Sequence, residues 1–172
     1  GKGVNVTASV ACFVPKPFTP FQYEPQDTRA ELCRKQKILL ETVQSRKITV
    51  KYHDSPTSFL EAVLARGDRR LCPVVERAWR LGSKLDGWGD FFSMDRWVQA
   101  AEEAGVDFAF YANRRRSYEE VMPWDHLDYG VHKRFLIREN QLAHQDKTTP
   151  NCRDHCSGCG ANQLLGGACF GQ

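Results

Sequence analysis

Val4-Asn5-Val6-Thr7-Ala8-Ser9-Val10-Ala11 alternates apolar and polar residues with a period of two. Successive side chains of a strand point to opposite faces, so this β-branched run predicts a strand, ending near Val14. Pro15-Lys16-Pro17-Phe18-Thr19-Pro20-Phe21 follows. Its three prolines lack amide donors and exclude both ladder and helix, leaving a stiff extended loop. Thr28 with Glu31 is a capping-box pattern, and Leu32, Gln36, Leu39, Leu40 and Val43 then recur at helical spacing, predicting a helix over 28–45. Ile48, Val50 and Tyr52 alternate with Thr49 and Lys51 in a second strand, 47–53. Strand, helix and strand in this order form a βαβ-like unit, which favours parallel pairing. The expected fold class is α/β.

The rest of the chain reads as helix-rich. Ser58 and Glu61 suggest a cap for a short helix ending near Arg66. Leu71, Val74, Val75 and Ala78 mark a helix that stops at Gly82. Ser93 to Ala104 is another, and Val131 to about Gln145 the last. Between them lie a turn-rich stretch around Gly87-Trp88-Gly89, an aromatic segment Phe108 to Tyr111 of undetermined type, and a possible single turn at Ser117 to Val121. Trp79, Trp88, Phe91, Phe92 and Trp97 are expected in the core.

The 172 residues are 41% hydrophobic and 26% charged, which excludes a wholly disordered chain. A net charge of +3 is too small to mark a nucleic-acid binder by charge alone. No apolar run approaches the roughly 18 residues of a membrane span. The opening Gly1-Lys2-Gly3 leads straight into the first alternation, so no signal peptide is expected. Lacking an initiator Met, the chain reads as an excised piece of a larger protein. Of seven cysteines, Cys12, Cys33 and Cys72 stand singly and are expected to be buried small hydrophobes. The cysteine usage points to a reducing, cytoplasmic compartment.

Cys152, Cys156, Cys159 and Cys169 crowd the carboxyl terminus, the first three with C-x₃-C-x₂-C spacing. Thiolates so placed suit a soft metal: Zn²⁺, or an iron–sulfur cluster. The alternative is a disordered tail with free thiols. The same spacing holds the S-adenosylmethionine-cleaving cluster of radical enzymes, but there a barrel follows the motif, and only 13 residues follow Cys159. An auxiliary or structural site fits better. Elsewhere, Asp125, His126 and Asp128 place an imidazole between two carboxylates, a set suited to general acid–base work. The plainer alternative has Asp125 or Asp128 capping the following helix. His53 and Asp54, with Lys51, lie at the end of the second strand, and Lys16 lies just beyond the first. Active sites of parallel α/β structures gather at that rim. Arg114-Arg115-Arg116 reads as a solvated basic face.

Phe13-Val14-Pro15-Lys16-Pro17-Phe18-Thr19-Pro20-Phe21-Gln22 resembles the late-barrel strand and loop of a family of uncharacterised radical S-adenosylmethionine proteins. In that family a cobalamin-binding-like amino-terminal region is fused to the radical domain. The resemblance continues through Lys51-Tyr52-His53-Asp54, Ala65 to Arg70, Tyr111 to Arg114, Pro123 to Val131, and Thr149-Pro150-Asn151-Cys152-Arg153. It implies that residues 1–56 are the end of a partial (β/α) radical barrel, 57–147 a helical extension, and 148–172 a Cys-rich metal-binding or disordered tail. It further implies 5′-deoxyadenosyl radical chemistry in the parent protein, using S-adenosylmethionine and a [4Fe–4S] cluster, and no catalysis by this segment alone. Pro15, Lys16 and Pro17 would then lie near the cofactor rim, with Lys16, His53, Asp54, Asp125, His126 and Asp128 as candidate catalytic residues. Zn²⁺ or an auxiliary cluster would sit on the tail cysteines. The implied partner is the rest of the barrel. The substrate stays open, with RNA conceivable and no membrane implied. Where the family tail carries a further cysteine soon after the Cys-Gly pair, this chain has Ala161. The competing expectation is a non-catalytic zinc-knuckle module that binds RNA or protein.

Overall fold

A computed structural model describes residues 3–167. The chain divides into two compact units, one of Gly1–Val14 with Pro25–Arg114, the other of Pro15–Glu24 with Arg115–Gln172.

The first unit is α/β. Strands β1 (Val6–Val10) and β2 (Ile48–Tyr52) form a parallel pair joined through helix α1 (Arg29–Thr42). Thr28 caps α1 by accepting from the Glu31 amide, as the capping pattern requires, while the Glu31 carboxylate turns to Arg34. The pairing Val6↔Ile48, Thr7↔Thr49, Ala8↔Val50, Ser9↔Lys51, Val10↔Tyr52 sorts the sheet into two unlike faces. One carries Val6, Ala8, Val10, Ile48, Val50 and Tyr52. The other carries Thr7, Ser9, Thr49 and Lys51, all exposed. β1 ends at Val10 rather than near Val14. Val14 packs instead against the helical core.

That core belongs to helices α2 (Ser55–Arg66), α3 (Cys72–Arg80), α4 (Met94–Glu103) and α5 (Phe108–Ala112). Leu60, Val63, Leu71, Val74, Ala78, Trp97, Ala100, Phe108 and Tyr111 are buried together. Ala62, Ala78 and Ala100 are fully buried, and such small side chains let neighbouring helices approach closely. α2 starts at Ser55 because Asp54, not Ser58, caps it: Asp54 Oδ2 accepts from the Thr57 amide (3.0 Å) and hydroxyl (2.8 Å). Arg66 is completely buried and donates to the carbonyls of Ala112 (2.8 Å) and Arg114 (3.0 Å), so it pins the end of α5.

Several sequence expectations are corrected. Cys33 and Cys72 are exposed and Cys12 is half-buried, so none is a core residue. Trp79, Trp88 and Phe91 stay exposed (57%, 69% and 54%), while Trp97 is buried and Phe92 partly so. Trp97 has a polar tether at hand, Asp86 Oδ2 at 2.7 Å, which satisfies its indole N–H inside the core. The aromatic segment at 108 proves helical, capped by Asp107.

The second unit is built on helix α6 (Lys133–Ala143) and the proline-rich strap, whose 3₁₀ turn spans Pro20–Tyr23. Tyr23, Met122 and Trp124 form its small core, with Phe18, Tyr118 and Ile137 against them. Arg116 is 3% exposed and lies over the Trp124 ring, 5.3 Å from its centroid, which corrects the expectation of a wholly solvated basic loop. Ser117 to Val121 is irregular and contains a turn. Among the described residues no helix is long and apolar enough to cross a membrane.

Candidate functional site

In the second unit, Gln22 is the organising residue. It is buried, and its Oε1 accepts from both the Phe18 amide (3.0 Å) and the Trp124 indole N–H (2.8 Å). One amide oxygen thus ties the strap to the loop 123–130. Phe18 adopts a left-handed backbone (φ 57°) and stacks on Tyr129 at 4.3 Å. The strap's remaining signals behave differently: Pro15 is buried, Pro17 half-buried, and Lys16 exposed, with its carbonyl accepting from the Thr19 hydroxyl at 2.8 Å.

A cleft of about 290 Å³ opens in this unit. Asp125, His126 and Asp128 all line it, together with Phe18, His132 and Lys133. The two carboxylates have local tasks. Asp125 Oδ2 accepts from the Met122 amide and from Lys133 Nζ, both at 3.0 Å. Asp128 Oδ1 accepts from the Gly130 amide at 2.7 Å, where the chain turns with φ 71°. Neither caps α6, whose N-cap position is His132 with no side-chain cap. Neither is hydrogen-bonded to His126, which is exposed. The structure therefore gathers the expected imidazole and carboxylates on one cleft without coupling them. Sequence reasoning missed Phe18, His132 and Lys133. Phe18 lies more than a hundred residues before the loop, and no spacing rule connects them.

Glu24, at the end of the strap, enters a second polar group. Its Oε1 accepts from Asn140 Nδ2 (3.0 Å), and His144 Nε2 (2.8 Å) and Arg115 Nη2 (3.2 Å) lie on the same oxygen. Burial pushes the Glu24 carboxyl up, but the hydrogen bonds from His144 and Asn140 and the Arg115 charge outweigh it and hold the group below its ordinary value.

In the first unit, the strand ends are occupied by structural contacts. Asp54 is the α2 cap. The His53 amide donates to Val10 O (3.3 Å), its carbonyl accepts from Gln36 Nε2 (2.8 Å), and its ring is exposed. A crevice of about 230 Å³ lies between α1 and the ends of β1 and β2, lined by Val10, Cys12, Leu32, Gln36, Leu39 and Tyr52.

Several described residues after Thr148 hydrogen-bond to α6 and its start. Thr149 Oγ1 donates to Glu139, Arg138 Nη2 donates to Ser157 O, and the His132 amide donates to Cys159 O at 2.9 Å. A Cβ at Gly130 would meet the Leu164 side chain at 2.5 Å, so the tail lies directly on the loop before α6. Cys152 is exposed, and Cys156 and Cys159 are half-buried. Cys169 lies outside the described residues. Among the described residues, no three His, Cys, Asp or Glu side chains are gathered to hold a metal ion. The donor types suit a soft metal, but their present arrangement is not a formed site.

Comparison with known proteins adds no relative: no family model, no curated protein and no solved structure matches this chain.

Proposed function

We propose that this chain is the carboxyl-terminal part of a radical S-adenosylmethionine iron–sulfur protein, with β1 and β2 as the last strands of its partial barrel. The observation that supports this reading is the sheet. A parallel sheet is ordinarily covered on both faces and apolar on both. Here an isolated parallel pair has one apolar face, with Val6 and Ile48 still 50% and 40% exposed, and one face of hydroxyls and an ammonium group. Two strands alone are marginal in water. Both outer edges lack a partner strand among the described residues. An apolar face under a helix and a polar face turned inward is the arrangement of a barrel that holds a polar ligand. The missing strands are the partner, and Thr7, Ser9, Thr49 and Lys51 would line the interior.

In this reading the cofactor carries the radical chemistry, and the chain contributes the closing strands, a helical cover and a soft-metal tail. The segment alone is not catalytic. The test is the full translation product that contains this chain, purified anaerobically, reduced with dithionite and given S-adenosylmethionine. It should release 5′-deoxyadenosine, and the 172-residue chain should release none. Turnover by the short chain, or none by the cluster-loaded full product, contradicts the proposal.

A further inference from the structure

We infer that the exposed groove along α3 docks an acidic amphipathic helix of a partner protein. This is independent of the radical-enzyme proposal and of the tail cysteines.

The apolar arc of α3 is wider than the core it meets. Val74 and Ala78 are buried in that core, yet their chain neighbours Val75 and Trp79 are exposed. Cys72, Val75 and Trp79 recur at i, i+3 and i+7, so they share one stripe. With Leu64 of α2 and Leu71 they line a groove of about 630 Å³. Gly67 shapes its floor: a Cβ there would collide with the Leu71 side chain, so its absence lets Leu71 lie against the backbone. Apolar residues three and four apart are the spacing against which a second helix packs. An exposed Trp at the end of such a stripe is the side chain most favoured as an interface anchor.

Charge selects the kind of helix. The two carboxylates on the groove are already engaged, Asp68 by Arg70 and Glu76 by Arg80, each at 2.6 Å. The cations at its two ends are not. Arg69 lies in the 3₁₀ turn that leads into α3, and Lys84 Nζ stands 5.6 Å from the Trp79 ring centroid. Neither makes an ion pair among the described residues. The groove is therefore apolar along its length and positive at both ends. A fatty acid carries its charge at one end only, whereas a helix with apolar residues between acidic ones matches both. The nine residues of α3 present a strip about 13 Å long and about 10 Å wide. That is far below the roughly 800 Å² per partner of a standard interface, which disfavours a second copy of this chain as the occupant.

The thiol of Cys72 reports on the groove. Cys33 and Cys152 are also exposed and serve as references in the same sample. The 172-residue chain is alkylated with iodoacetamide, and the rate at each cysteine is read by peptide mass mapping. The probe is a synthetic cysteine-free helical peptide with Leu at i, i+3, i+4 and i+7 and Glu at both ends. At about 1 mM it should slow alkylation of Cys72 at least about threefold and leave Cys33 and Cys152 unchanged. The same peptide with Lys for Glu should give little protection, and added salt should weaken the effect of the Glu peptide. The double variant Arg69→Glu/Lys84→Glu, its fold checked by circular dichroism, should reverse the preference between the two peptides. No protection by the Glu peptide, equal protection by both, or an unchanged preference in the folded double variant overturns the inference. So does protection by decanoate equal to that by the Glu peptide, which would make the occupant a simple anionic amphiphile. Protection that grows with protein concentration in the absence of peptide overturns it in favour of a second copy.

Discussion

Replacing Asp68 by Asn tests the electrostatics of the first unit's core edge. Asp68 lies between α2 and α3 and accepts from the Arg70 amide (2.9 Å), the Arg70 guanidinium (2.6 Å at its closest) and the Tyr111 hydroxyl (3.0 Å). The Arg70 guanidinium bonds chiefly hold its carboxyl down to about 2 from an ordinary 3.8, against the opposing effect of partial burial. At about 1.4 kcal/mol per pH unit, that shift corresponds to an upper limit of ~2.5 kcal/mol. The carboxylate is 26% exposed and Arg70 63% exposed, so solvent screening reduces this to roughly 1–2 kcal/mol. The folded value is the lower one. The contribution is therefore complete above about pH 5 and fades as pH falls through 4 towards 2. Asp68→Asn keeps an oxygen for the Arg70 amide and the Tyr111 hydroxyl but loses the charge. Urea unfolding at pH 7 should show a loss of about 1–2 kcal/mol with an unchanged slope, shrinking as the pH approaches 2. A loss that is the same at pH 7 and pH 2.5, or none at pH 7, refutes the reasoning.

Other substitutions probe the remaining supports. Trp97→Ala removes a buried ring and strands Asp86, and should cost about 3–5 kcal/mol by denaturant titration. Gln22→Ala leaves the Trp124 indole N–H and the Phe18 amide without their shared acceptor. It should cost about 1–3 kcal/mol and weaken the near-ultraviolet signal of the second unit, an effect that would be absent if the strap were held by other contacts. Gly160→Ala forces a Cβ to 2.7 Å from Gly130 O in a left-handed backbone, so hydrogen exchange over residues 149–165 should accelerate while α2 to α5 are unaffected. Glu24→Gln should destabilise the second unit at neutral pH, with the difference from the parent fading as acid protonates Glu24, through and below the ordinary carboxylate range.

The βαβ unit was legible because its signals are local. Period-two runs at Val4–Val10 and Ile48–Tyr52 and the Thr28 cap with Glu31 each act within a few residues. Boundaries were less legible where two residues compete for one task. Asp54 and Ser58 both suit an N-cap, and Pro56 at the first helical turn favours the earlier start. Burial of charged and aromatic side chains was the least legible, because partners at long separation decide it. Arg66 is buried by carbonyls 46 and 48 residues away. Trp97 is kept inside by Asp86, whereas Trp79 and Trp88, equally aromatic, stay outside. At the candidate cleft, the loop 123–130 was visible as a dense run of chemistry, but the bond from its Trp124 to the strap depends on Gln22, more than a hundred residues away.

The most direct test of the central claim is amide hydrogen exchange of β1 and β2, compared between the 172-residue chain and the full translation product. Among the described residues the outer edges of both strands have no partner strand, so their amides should exchange rapidly in the short chain and become at least about tenfold more protected in the full product as further strands add. Equal protection in the two would contradict the claim that these strands belong to a larger barrel.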